Sequence, residues 1–153
     1  MVLEISVYGG LFFTAFLAAT FFPAQSEILL VSLLLAGGYP PWTLVLVASA
    51  GNTMGAMLNW LIGFRFMHLL NTKWFGQETK ALQKAQRWYH RYGRWSLLMS
   101  WAPIVGDPLT LVAGILKEPA RPVLAIVLFA KTARYIIVTV LTLQGGAYAG
   151  NIG

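Results

Sequence analysis

Four ionisable residues stand inside long apolar stretches of this 153-residue chain: Glu27, Asp107, Lys131 and Arg134. Each costs about 2.5–3.5 kcal/mol at the centre of a membrane helix on insertion scales. Pairing two acids with two bases offsets most of that cost. A pure ion-pair network is one reading, but buried pairs are often no more stabilising than apolar packing, which favours a functional reason for keeping four. The chemistry they offer is anion handling. A guanidinium at Arg134 grips a phosphate bidentately and Lys131 adds a second positive charge. Desolvated carboxylates at Glu27 and Asp107 hold protons more tightly and so are able to take them up and release them. A lesser role for each acid is to cap a helix, Asp107 the one starting at Pro108 and Glu27 the one from Ile28 onward.

The two acids share a local pattern. Pro23 precedes Glu27 and Pro103 precedes Asp107 by the same spacing, so both stretches read Pro-x-x-x-acid, 80 residues apart. A helix does not run easily through a proline, whose ring clashes with the preceding turn and which lacks an N–H. Gln25 and Ser26 in the first stretch, and Gly106 and Pro108 in the second, complete two polar breaks. Irregular backbone at membrane depth is tolerated only beside protein or a water-filled cavity.

Composition sets the frame for these breaks. Hydrophobic residues make up 58% of the chain and charged residues 10%, against roughly 25% charged in a soluble domain. Several runs are long enough to cross a bilayer, for which about 20 apolar residues suffice. The absence of cysteine excludes disulfides, thiolate metal sites and cysteine catalysis. A net charge of +6 would fit nucleic acid, but most of it lies in one connector, as in cytoplasmic loops of membrane proteins. Glu4 without a basic n-region argues against a cleaved signal peptide. One all-helical membrane domain over residues 1–153 is expected.

Taken in order, residues 5–21 and 28–36 are apolar arms around the first break. Each is short for a crossing, so together they read as a re-entrant hairpin, the alternative being one kinked crossing over 5–36. Trp42 to Phe64 reads as a full crossing. Gly51, Gly55, Asn59 and Gly63 recur every four residues on it, with Asn52 beside them, a pattern that lets another helix approach closely. That face serves an internal contact or a homodimer. Residues 65–94 form a connector with seven basic residues against Glu78. Within it Ala81, Leu82, Ala85, Trp88, Tyr89 and Tyr92 follow a helical period opposite Lys80, Lys84, Arg87 and Arg91. This predicts a cytoplasmic interfacial helix on anionic headgroups, or a solvated basic face that only fixes orientation. His68 and His90 are isolated and lack metal-ligand spacing. Trp95 to Leu116 reads as a second hairpin broken at 103–108, and Val123 to Leu143 as the last crossing. The glycine-rich tail carries no motif.

At an offset of 80, Ala50 also matches Ala130, and Asn52 and Met54 fall opposite Thr132 and Arg134. Each half, about 5–64 and 95–144, is a hairpin plus one crossing. An odd number of passes inverts the halves, and inverted repeats with broken helices meeting near the midplane are a transporter design. The first hairpin then enters from outside, the second from the cytoplasm, and both termini lie outside.

The stretches Phe22–Glu27, Gly51–Gly55, Arg91–Trp95, Ser100–Pro108 and Lys131–Tyr135 together resemble the DedA family. The similarity is to its YqaA branch of small bacterial inner-membrane proteins, which share the VTT (SNARE-associated) domain, and it covers nearly the whole chain. The resemblance implies two opposed re-entrant hairpins in the inner membrane. It also implies movement of lipids between leaflets, with undecaprenyl phosphate or phospholipid as substrate class and dependence on the proton-motive force. It assigns functional roles to Glu27 and Arg134. The chain is shorter than the larger members and has only Arg94 as a basic residue near the start of the second hairpin.

Three functions are therefore in play: lipid translocation, small-solute or ion transport with the same charges, and a non-transporting assembly role. Anionic membrane lipids are the expected partners, and no cofactor, metal or nucleic acid is expected. An enzyme is not expected, since no Ser/His/Asp set or ligand cluster is present and neither histidine lies near the hairpins.

Overall fold

The computed structural model describes residues 2–19, 24–65, 80–102 and 105–150. The described residues are helical and turn, with no strand among them. The elements are α1 (Val2–Ala18), α2 (Gln25–Ala36), α3 (Pro41–Arg65), α4 (Lys80–Tyr92), a 3-10 segment (Gly93–Trp101), α5 (Gly106–Ile115) and α6 (Ala120–Gly150). Pro23 and Pro103, the prolines of both breaks, lie outside the described residues, as do His68, Lys73 and Glu78 of the connector.

Length separates these helices into two classes. Pro41–Arg65 and Ala120–Ala147 are long and apolar enough to cross a membrane; at 1.5 Å per residue they run roughly 38 and 42 Å. The others fall short of a hydrocarbon core about 30 Å thick. By the same rise α1 is roughly 25 Å long, α2 about 18 Å and α5 about 15 Å. Short elements pack in pairs, α1 on α2 and the 3-10 segment on α5, and both pairs pack on α3 or α6.

Glycine sets the closeness of these contacts. A Cβ on Gly51 or Gly55 would collide with the carbonyl oxygen of Phe12 or Phe16 in α1. One on Gly63 would strike the Leu111 carbonyl of α5, and one on Gly114 the Trp60 carbonyl of α3. The glycine face of α3 is thus covered within the chain, by α1 near its middle and α5 near its end. Asn59 lies between, and its amide donates to the Ala19 carbonyl at 2.8 Å.

Apolar side chains gather at both ends of this bundle. One cluster joins Leu11, Ala15, Leu30, Leu34, Leu44, Val45 and Ala48. The other joins Ala56, Leu97, Leu109, Val112, Ala113, Val123 and Val127. Between them α3 contributes Ser49, Asn52 and Thr53, and α6 contributes Lys131, all buried. Asn52 lies roughly 16 Å along α3 from Pro41, about half of a hydrocarbon core.

Several boundaries differ from those read in the sequence. The second break ends at Val105, and α5 starts at Gly106, so Pro108 sits in the first turn, where no intrahelical N–H bond is lost. Gly106 is required there: a Cβ would press on the Ser100 backbone across the break. Neither acid caps a helix. Asp107 lies inside the first turn of α5 and Glu27 inside that of α2, which begins at Gln25, and neither helix has a side-chain cap bond. Both carboxylates are directed at α6 instead. The segment before the second break, Gly93–Trp101, winds as a 3-10 helix over nine residues, unusually long for that form. Its three-residue period buries Leu97 and Ser100 on one line and exposes Trp95, Leu98 and Trp101 on another. The tail also stays helical, as α6 continues through Gly150.

The turn between α5 and α6 is built from an uncommon residue. Glu118 N–H donates to the Ala113 carbonyl and Lys117 N–H to the Gly114 carbonyl, both at 2.9 Å. This is a Schellman closure, which favours glycine at its left-handed position; here Lys117 holds it, at φ +56°. The turn presents Glu118 to Arg94, at 2.9 Å, and its carbonyl to the Trp60 indole N–H at 3.0 Å. Tyr89 of α4 is buried beside them. Burial, and then the negative charge of Glu118, push its phenol above the ordinary range.

Candidate functional site

All four charges found in the apolar stretches meet at α6. Glu27, in the first turn of α2, accepts a hydrogen bond from Arg134 Nε. Asp107, in the first turn of α5, lies 3.0 Å from Lys131 Nζ. Lys131 and Arg134 are one turn apart on α6, so a single helix receives one acid from each pair of short elements. The Lys131 side chain is 3% exposed and Asp107 17%, whereas Glu27 is 26% exposed. The first acid therefore faces more open space than the second.

Neutral groups join the two ion pairs. Lys131 Nζ donates to Asn52 Oδ1 at 2.5 Å. Asn52 Nδ2 donates to the Tyr135 hydroxyl at 2.6 Å, and Tyr135 donates to Ser26 Oγ at 2.9 Å. A continuous path thus runs from Asp107 through Lys131, Asn52 and Tyr135 to Ser26, the neighbour of Glu27. Ser49, Thr53, Ser100 and Thr139 carry further buried hydroxyls with no protein partner among the described residues. Ser49 and Thr53 flank Asn52 on α3, and Thr139 lies one turn beyond Tyr135.

The residues singled out in the sequence occupy distinct places. Glu27, Asp107, Lys131, Arg134 and Ser26 meet in this cluster, and Asn52, read there as a packing residue, bridges it. Gln25 is exposed at the start of α2, and Pro108 is half-buried in α5. Gly51, Gly55, Asn59 and Gly63 serve helix contacts. Tyr135, which only closes the Lys131–Tyr135 stretch, and Gly114 receive no role from the sequence alone. Tyr135 reads as one more aromatic in an apolar helix; its spacing of four from Lys131 is the available signal. His90 is exposed on α4, and no cluster with metal-ligand character occurs among the described residues.

A groove of about 360 Å³ opens beside the cluster. Leu98 and Trp101 of the 3-10 segment form one wall, and Phe129, Ala130, Ala133 and Ile137 of α6 the other. Among the described residues, Arg134 is its only charged lining residue. Trp101, Phe129 and Ile137 are among the exposed large apolar residues, a surface suited to hydrocarbon rather than water.

Two bilayer-length apolar helices, shorter helices packed on them and a charged layer midway along their length define a multi-pass helical membrane protein. Residues 22–144 match the VTT domain, and the chain belongs to that family, the DedA family of inner-membrane proteins. It is 42% identical over 136 residues to inner membrane protein YqaA of Escherichia coli K12, covering 89% of this chain and 91% of that protein. The Shigella flexneri protein of the same name shows the same identity and coverage. An uncharacterized protein of Haemophilus influenzae is 32% identical over 139 residues, covering 86% of this chain and 85% of its own. No solved structure matches.

Proposed function

We propose that the chain translocates an anionic lipid across the inner membrane, with the phosphate headgroup received at Arg134 and Lys131. One observation carries this reading. Arg134 belongs both to the ion pair with Glu27 and to the wall of the apolar groove. A lipid whose chains occupy that groove brings its phosphate to the guanidinium without leaving a hydrocarbon setting. The phosphate then competes with Glu27 for Arg134, and the released carboxylate is free to take up a proton. Proton uptake at one face and release at the other would couple movement to the proton gradient.

The shortness of the paired elements supports two re-entrant hairpins, with α1–α2 and the 3-10 segment with α5 as their arms. The convergence of both acids on α6 supports a shared site between opposed repeats. The family resemblance supports undecaprenyl phosphate or a phospholipid as the substrate class. Reconstituted protein should move such a lipid between leaflets, and Glu27→Ala should reduce movement to the protein-free rate while the variant still elutes as folded protein. Competition by the water-soluble headgroup alone would favour a small-solute transporter. Loss of folded protein in Glu27→Gln, with no lipid movement in the wild type, would assign the charges to assembly.

A further inference from the structure

The polar path has a direction, and chemistry dictates it. A lysine ammonium has only donors. Paired with Asp107 at 3.0 Å, Lys131 therefore needs an acceptor from Asn52. That fixes the Asn52 amide with Oδ1 toward Lys131 and Nδ2 toward Tyr135. The Tyr135 oxygen must then accept, so its single proton goes to Ser26 Oγ. From Lys131 onward every donor points toward α2, while Lys131 also donates back to Asp107.

We infer that Asn52 and Tyr135 are positioning residues that couple Asp107 in the first turn of α5 to Ser26 and Glu27 in the first turn of α2. The inference deepens the transport reading, and only its purpose rests on that reading. Asn52 suits this task and a carboxylate would not. A carboxamide passes orientation through two different atoms, one acceptor and one donor, but does not relay a proton in its ordinary tautomer. The two acid–base pairs are thereby linked mechanically and kept separate as proton sites. Burial enforces the link. Ser26 is 0% exposed and Tyr135 1%, so neither hydroxyl is able to trade its partner for bulk water, and a lost partner leaves a buried polar group unsatisfied. Ser26 and Glu27 occupy the first turn of α2, so what Tyr135 does to Ser26 acts on the element that holds the Glu27 carboxylate.

Hydrogen exchange of the backbone amides of residues 24–30 tests this without any substrate. Asp107→Asn removes the charge that holds Lys131 in place and should speed exchange at 24–30 by at least about fivefold, the lower end of ordinary site-to-site coupling. Tyr135→Phe should speed it similarly, and adding Asp107→Asn to Tyr135→Phe should change nothing more. Asn52→Ala cuts the same path one residue earlier and should behave as Tyr135→Phe does, which keeps the test open should either variant fail to fold. Full additivity of Asp107→Asn with both cuts, or no effect of Asp107→Asn on residues 24–30, overturns the inference. Should the wild type itself move no lipid, the same coupling would leave the path intact while the transport reading fails.

Discussion

Arg134 and Tyr89 show how differently a charged and a neutral polar group behave when buried in this chain. Arg134 pairs with Glu27 and also lines the apolar groove. The Tyr89 hydroxyl has no hydrogen-bond partner within bonding geometry among the described residues, and its phenol resists ionisation because of burial and the nearby Glu118. A group whose folded pKa is raised stabilises the fold below its ordinary value, here 10.0, and loses that contribution as pH climbs toward the folded value. The melting temperature of the wild type should therefore fall above about pH 10 more steeply than that of Tyr89→Phe, with thermal unfolding followed from pH 8 to 11. Equal slopes would place Tyr89 in water. The four charges were legible because a charge in apolar sequence is rare and costly. Tyr135 was not, because a tyrosine raises no such flag, and its hydroxyl gains meaning only when Ser26 and Asn52, 109 and 83 residues away, fold against it.

Among elements, the turn from α5 to α6 and the contact of α5 with α3 invite direct tests. Lys117 occupies a left-handed position that costs an ordinary L-residue roughly 1–2 kcal/mol. Lys117→Gly should relieve part of that and raise stability by up to about 1 kcal/mol, read as a higher melting temperature in detergent. A lower one would mean that the Lys117 side chain holds the turn by contacts of its own. Gly114 meets the Trp60 carbonyl so closely that no side chain fits. Gly114→Val should destabilise by about 1–3 kcal/mol or more, whereas Gly145→Ala, in open space, should be neutral by the same measurement. The crossings were legible from their length and apolar character. The 3-10 winding of Gly93–Trp101 was not, because the line of Trp95, Leu98 and Trp101 is apolar yet exposed. In a membrane protein, hydropathy does not separate a buried face from one that meets lipid. The break positions shifted for a related reason: Pro108 marks a helix start as readily as a break, and only the close approach of Gly106 to Ser100 decides between them.

At the scale of the molecule, two apolar clusters hold the ends of the bundle and a polar layer divides them. Charges placed midway between apolar ends contribute little to stability for their desolvation cost, which makes an anion-handling role the stronger account of their presence. That account is tested most directly by leaflet-resolved movement of an anionic phospholipid in proteoliposomes containing wild-type protein or Arg134→Ala. The wild type should move the lipid well above the rate of protein-free vesicles, and Arg134→Ala, recovered as folded protein, should fall back to that rate. Equal movement by both proteins would contradict the account, because the one charge that meets both the groove and Glu27 would then have no part in transport.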